Sequence, residues 1–322
     1  MACGADADPA ADRRSGWVAD VEQPLPAWLS ETGLYADLAA RAPGGGAVVY
    51  EPAHPLWSNG ADKERLLFLP PGEPIVPGAT GDEFPVGTVL VKSFSLDDLE
   101  GRSGPVTVET RVLFRREEGW GFALYHWDAA GTEAALAGED WRPASLQLTD
   151  ASGTTFAYTL PGQLDCRSCH EAPGAFPVLG ISRWQRPAAV HAYSEPPPES
   201  DLAAYARSPL EAEAMSYIVG NCAFCHNGRR SGENSAFSLE PPVFVANTID
   251  QETDSSASGL GIRVVPGDAL GSALYEAVVL TRRPGYRGDF KAMPPAGIDR
   301  PDPRAEQVLR RWIESLEPGD AR

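Results

Sequence analysis

The chain has 322 residues and carries 45 Asp and Glu against 27 Lys and Arg, a formal charge of −18. That balance excludes nucleic-acid binding through phosphate neutralisation and makes the chain a poor ligand for anionic lipid. Its 43% hydrophobic content suffices for real cores, but no apolar run approaches the length of a membrane span, and 30 Pro with 32 Gly favour long loops and short elements over a helical bundle.

Residues 1–17 read as a flexible tether. Cys3 follows the small residue Ala2 and precedes Gly4 and a polar stretch, Ala5 to Gly16, with no apolar pattern. A lipidated cysteine followed by polar chain is how a mature bacterial lipoprotein begins, so a lipid on Cys3 is the one membrane attachment expected.

Residues 18–160 read as a β-rich domain of sandwich or barrel type. One short helix is expected from Trp28 to Ala40, with Ser30 as its cap and Leu34 and Leu38 turned inward. Strands are expected from the apolar runs Ala47–Tyr50, Arg65–Leu69, Thr88–Phe94, Val106–Arg115, Gly121–Trp127 and Thr154–Leu160. Period-two alternation puts Val106, Val108, Thr110, Val112 and Phe114 on one face of the fourth run. Thr107, Glu109, Arg111, Leu113 and Arg115 fall on the other. Breakers separate the runs, among them Pro70-Pro71-Gly72 and Glu117–Gly119.

Residues 161–207 hold the first of two cysteine motifs and a linker stiffened by Pro196-Pro197-Pro198. Residues 208–322 read as helical: a helix opened by Ser208-Pro209 and running through Ala214, Met215 and Ile218, another over Ser272–Thr281, and a last one from Pro303 with Val308, Leu309, Trp312, Ile313 and Leu316 as its apolar stripe. The expected fold class is therefore α+β (multi-domain), an N-terminal antiparallel β-rich domain followed by a mainly α-helical region.

Two pentads carry the chemistry, Cys166-Arg167-Ser168-Cys169-His170 and Cys222-Ala223-Phe224-Cys225-His226. Two thiols three positions apart on a helical turn reach neighbouring vinyl groups of a porphyrin, and the next residue brings an imidazole under the iron. A pair of zinc or redox Cys-x-x-Cys sites is the competing explanation, disfavoured by the His that follows each pair at once. The motifs imply two covalently attached haem c groups (iron), bound through Cys166, Cys169, Cys222 and Cys225, with His170 and His226 as axial ligands. They consume four of the five cysteines and leave Cys3, so no disulfide framework is available within the chain. Covalent haem attachment takes place outside the cytoplasm, so an export signal is expected in the precursor and a periplasmic or cell-envelope location follows.

Phe290-Lys291-Ala292-Met293-Pro294-Pro295 presents a thioether on a proline-stiffened loop, which makes Met293 the expected sixth ligand of the second haem. Met215, on the helix leading into the second motif, reads as core. Arg282, Arg283, Arg287 and Lys291 are candidates to pair with haem propionates, to dock a partner, or simply to form a solvated cationic loop. At the first haem no Met–Pro loop follows the motif. Its distal position is open to His54, His126 or His191, to Met215, Tyr158 or Lys63, or to no protein ligand at all. The charged groups Asp62, Lys63, Glu64, Arg65, Glu109 and Arg111 read as structural cross-strand pairs more readily than as an active constellation.

From Ala212 to Leu316 the chain resembles a class I cytochrome c domain, in the helix before the second pentad, the segment Pro266–Tyr275, the Met293-Pro294-Pro295 loop and the terminal Trp312-Ile313 helix. The resemblance implies His226/Met293 ligation, low-spin iron and a comparatively high potential. The segments Pro55–Arg65, Phe84–Lys92 and Val108–Arg111, together with Gln163 through Ile181, resemble a family of bacterial two-haem c-type cytochromes that has no established substrate. Phe84–Lys92 is also similar to one strand of cytochrome P460, too little to imply that enzyme's chemistry.

The reading that follows is single-electron transfer between two haems in the cell envelope. The partner expected of so acidic a chain is a redox protein with a basic docking patch. The alternative is a redox enzyme like the dihaem peroxidases, in which the Met-ligated haem feeds an open first haem.

Overall fold

The structure, a computed structural model, describes residues 14–78, 81–97, 99–138, 140–171, 177–197, 201–229, 237–253, 261–288, 290–295 and 298–320. The strands are β1 (Tyr35–Asp37), β2 (Ala42–Pro43), β3 (Ala47–Val49), β4 (Asp62–Phe68), β5 (Val89–Leu96), β6 (Val106–Arg116), β7 (Gly119–Trp127), β8 (Ala134–Leu136), β9 (Ala144–Thr149) and β10 (Thr155–Leu160). The helices are α1 (Gln163–His170), α2 (Pro209–Asn221), α3 (Phe244–Thr248), α4 (Ala273–Val278) and α5 (Pro303–Glu314). The chain is mixed α+β.

Strands β3 to β8 form one six-stranded antiparallel meander in sequence order, and β1–β2 and β9–β10 are separate hairpins. The expected apolar runs become β3 to β7 and β10. A two-sheet sandwich or closed barrel does not form among the described residues. One face of the meander is covered by the N-terminal segment, where Trp17, Val18, Leu29 and Leu34 pack on Leu66, Val91, Val112 and Tyr125. The other face is covered by later chain: Val178, Ile181 and Val190 pack on Leu67, Leu90, Ile75 and Phe84. Segments without strand pairing thus supply what a second sheet would have supplied.

The helix expected over Trp28–Ala40 is a three-residue 3-10 turn, Leu29–Glu31, followed by β1. Gly33 ends it. This residue sits at φ 77°, and a Cβ there would lie 1.7 Å from the Ser15 carbonyl oxygen, so the chain crosses itself where helix would have continued. A bulge corrects the alternation on β6. Phe94 pairs with Glu109 and Ser95 with Thr107, so Val108 is the extra residue and joins the cluster around Phe94 and Tyr158. From Glu109 to Arg115 the alternation holds.

The chain after the first pentad is no detached linker, because Arg186 bonds Asp82 at 2.7 Å and residues around Tyr193 bridge to Ile75. The second half is not mainly helical: α2 and α5 have 13 and 12 residues, α3 and α4 only 5 and 6, with irregular chain between. Of the described residues 22% are helix and 26% strand. Ser208 caps α2 by accepting from Glu211 N, Asp302 caps α5 by accepting from Arg304 N, and a proline follows each cap at the first helical position. The two long helices pack together, with Trp312 stacked on Phe244 at 4.9 Å and its indole N–H donating to the buried carboxylate of Glu211. The expected helix Ser272–Thr281 forms as α4 and then a 3-10 turn, Leu280–Arg282.

A seam of side-chain to backbone bonds joins the halves. Asn221 Oδ1 accepts from Trp57 N at 2.8 Å, Asn59 Oδ1 accepts from Asp299 N and Arg300 N at 2.7 and 3.0 Å, and Asp299 Oδ2 accepts from Thr159 N at 3.1 Å. Gly220 on α2 lets the seam close, since a Cβ there would stand 2.6 Å from the His54 carbonyl oxygen. Helix propensity alone would make Gly220→Ala stabilising by about 1 kcal/mol. Overpacking against backbone reverses the sign, with an expected net loss of about 1–2 kcal/mol and a lower thermal midpoint in a melting experiment; a raised midpoint would contradict the seam.

Candidate functional site

The first pentad occupies α1. Cys166 and Cys169, one turn apart, share a face with His170, while Leu164, Arg167 and Ser168 are exposed. That face looks across a cavity of about 490 Å³ at the meander, which contributes Leu90, Lys92, Arg111, Leu113 and Phe122. The volume is in the range of small-molecule and cofactor sites. His170 packs on the Phe122 ring at 5.5 Å, and its Nδ1 lies 2.5 Å from the Pro177 carbonyl oxygen. A carbonyl only accepts, so Nδ1 donates and Nε2 keeps its lone pair for a metal. Burial, followed by the nearby cations Lys92 and Arg111, holds the His170 imidazole down to about 4, so it is neutral at physiological pH.

The second pentad closes α2. Cys225 N and His226 N both donate to the Cys222 carbonyl, continuing the helical turn, and His226 packs on Phe237 with ring centroids 4.6 Å apart. Cys222, Cys225, His226 and Met293 line one apolar cavity of about 270 Å³, walled by Leu274, Ala277 and Val278 of α4. Met293 is thus brought to the second pentad as its loop suggested. Two sets of bonds hold it: Met293 N donates to Ala277 O at 2.9 Å, and the Arg282 guanidinium donates to the carbonyls of Met293 and Pro294, both at 2.5 Å. Arg282 is therefore a clamp on the methionine loop. Arg283 pairs with Glu306 at 2.7 Å, and Lys291 lines the second cavity.

Phe224, Cys225, Pro294 and Pro295 line both cavities, so the two sites are neighbours across a wall one side chain thick. Among the described residues no group of three or more His, Cys, Asp and Glu side chains is arranged to hold a metal ion. The two cysteine pairs therefore do not converge on one shared donor cluster; each stands with its own imidazole at its own cavity. Burial pushes the Cys166 thiol up to about 11 and the Cys222 thiol up to about 12.

The side chains expected to cap the first iron lie elsewhere. His191 is exposed, and neither His54 nor His126 lines the cavity. His54 belongs to the seam against α2, and His126 stands opposite Glu109 on the neighbouring strand. Met215 is fully buried in the core between the helices, as read from its position. The Lys63 ammonium is bound to the Leu56 carbonyl. Tyr158 does line the cavity, but its hydroxyl donates to Glu109 at 2.8 Å. Glu109, fully buried, also accepts two bonds from Arg111 at 2.6 and 3.0 Å, and this pairing raises the Arg111 guanidinium above its ordinary value against the opposing effect of burial. The residue that sequence reasoning missed is Lys92. It faces the first cavity with its proton affinity pushed well below the usual lysine range by burial and by Arg65, Lys63 and Arg111. A charge in the middle of an otherwise apolar strand was the available signal.

Compared with family models, curated proteins and solved structures, the chain has no significant match, so the resemblances rest on its motifs alone. Arg282→Ala removes two bonds to the methionine loop and leaves the cysteines untouched. If a haem held at the second pentad takes Met293 as a ligand, the substitution is expected to loosen Met293 and to let cyanide displace it at least about tenfold faster, the equivalent of one charge-assisted hydrogen bond. Stopped-flow absorption at the methionine–iron band measures this, and an unchanged rate would show that Arg282 does not hold the loop.

Proposed function

We propose that the chain is a dihaem c-type cytochrome that passes single electrons between two haems in the bacterial cell envelope. The observation that carries the reading is the shared wall: each pentad lines its own cavity, and Phe224, Cys225, Pro294 and Pro295 belong to both. Cys166, Cys169 and His170 would hold the first haem; Cys222, Cys225, His226 and Met293 the second. The bound groups supply reversible one-electron iron chemistry. The chain supplies orientation and dryness. Pro177 fixes the His170 tautomer, Arg282 and Ala277 hold Met293, and apolar side chains dominate both linings.

The second half, with its pentad helix, methionine loop and terminal α5, is proposed to be a class I cytochrome c module. The acidic surface favours a redox partner with a basic patch, bound more weakly as salt rises. No helix among the described residues is long and apolar enough to cross a membrane, and Cys3, the proposed lipid attachment, lies outside the described residues.

A second reading has an observation of its own. No His or Met other than His170 lines the first cavity among the described residues, which favours an iron with an open face there and a ligand-binding or peroxidase-like role. Flash reduction of the haem-loaded protein, with and without cyanide, tests both. Electron equilibration between the haems in under a millisecond is expected, and haems that never equilibrate would overturn the relay. A first haem that is high-spin and takes up cyanide would place catalysis ahead of simple transfer; two low-spin haems indifferent to cyanide would reject the open site.

A further inference from the structure

Three basic side chains stand in register across the meander: Arg65 on β4 opposite Lys92 on β5, and Lys92 opposite Arg111 on β6. Like charges directly opposite one another repel, and the repulsion grows as water is withdrawn. Their compensation is unequal. Arg111 is answered by Glu109 through two hydrogen bonds. Arg65 is 3% exposed, yet among the described residues it makes one 3.3 Å bond to the Lys63 carbonyl and a loose 3.9 Å contact with Glu51, itself 72% exposed. A guanidinium has five N–H donors, so most of this one's capacity is idle. Lys92 makes no side-chain hydrogen bond or ion pair among the described residues, and the backbone of its strand fixes it where it stands.

The space beside them is of the right kind for a counter-charge. Lys92 lines the first cavity and also a smaller one of about 50 Å³, which Arg65 lines too, with Ser182 and Gln185 close by. Among the described residues the one carboxylate on that smaller cavity, Glu240, is paired with Arg229 at 3.0 Å. Buried charge is tolerated when it is paired, and an under-answered row of cations inside a chain of net charge −18 is the reverse of what surface composition would scatter there.

We propose that Arg65 and Lys92 form a seat for a carboxylate or oxyanion that the chain itself does not supply. Two sources have the required chemistry: the carboxylates of a porphyrin held at the first pentad, or a free small oxyanion that reaches the first cavity. The first source rests on the two-haem reading above; the second does not.

The test uses the full haem-loaded protein, with haems counted first by pyridine haemochrome, and compares Lys92→Met and Arg65→Met with the charge-retaining Lys92→Arg and Arg65→Lys. If a porphyrin carboxylate fills the seat, the Met variants lower the midpoint potential of the first haem, because a cation that opposed the oxidised state is gone. The second haem and the charge-retaining variants stay near wild type. If a free oxyanion fills it, nitrite or sulfate binds the wild type saturably, read in the first haem's absorption and in the thermal midpoint, and the Met variants lose at least about tenfold in affinity. With two haems counted, unchanged potentials together with unchanged or absent anion binding would overturn the seat. Absence of haem would sink the two-haem reading separately. Sulfate stabilisation of the chain would then decide: saturable and lost in Lys92→Met in support, absent against.

Discussion

The seam between the meander and the second half sets how the two pentads lie against each other. Asn221 and Asn59 are almost fully buried and spend their side-chain oxygens on backbone N–H groups of the opposite half. Each such bond stabilises by about 1 kcal/mol, a modest amount, but a buried amide left without its partner costs more than that. The seam is therefore specific in register as well as favourable. It sets the first cavity against Phe224, Cys225, Pro294 and Pro295, which also line the second, and leaves no room for a β-carbon at Gly220. Were the halves to slide, that common wall would be lost.

The charge distribution runs in opposite senses inside and outside. The chain is acidic overall, while the cavity face of the sheet carries Arg65, Lys92 and Arg111 in one cross-strand row. Burial above all, and then Lys92 and Arg111 of this row, depress the proton affinity of His170 and keep it in the form a metal takes. The second cavity follows another design. Its walls are apolar, its methionine is held through backbone carbonyls by Arg282, and its imidazole packs on Phe237. Two environments so different would separate the properties of two otherwise identical cofactors.

Much of this was legible in the sequence where a local rule decides the outcome. The strand runs from Ala47 to Trp127 were readable because alternation and turn residues agree, and Met293 because Pro294 and Pro295 stiffen its loop. The helix starts at Ser208-Pro209 and at Pro303 belong to the same class. What escaped is long-range. The crossing of Gly33 by Ser15, which ends a helix that Trp28–Ala40 would otherwise favour, depends on a contact invisible in local pattern. The bulge at Val108 puts both Val106 and Val108 into the cluster around Phe94 and Tyr158 without changing the composition of β6. His54, His126 and His191 were equal candidates in the sequence, since nothing local says which way a cavity faces. The apposition of Lys92 with Arg65 and Arg111 likewise follows from strand order, which the charges themselves do not encode.

The central claim is that both pentads are covalent porphyrin attachment sites. Intact-mass measurement of the chain, produced in a host that attaches haem c during export, tests it most directly, alongside Cys166→Ala/Cys169→Ala and Cys222→Ala/Cys225→Ala variants. The account predicts a mass increment of two haems on the parent chain and one on each double variant. A parent chain that leaves the exporting host without covalently bound haem, its four motif thiols free to alkylation, would contradict it.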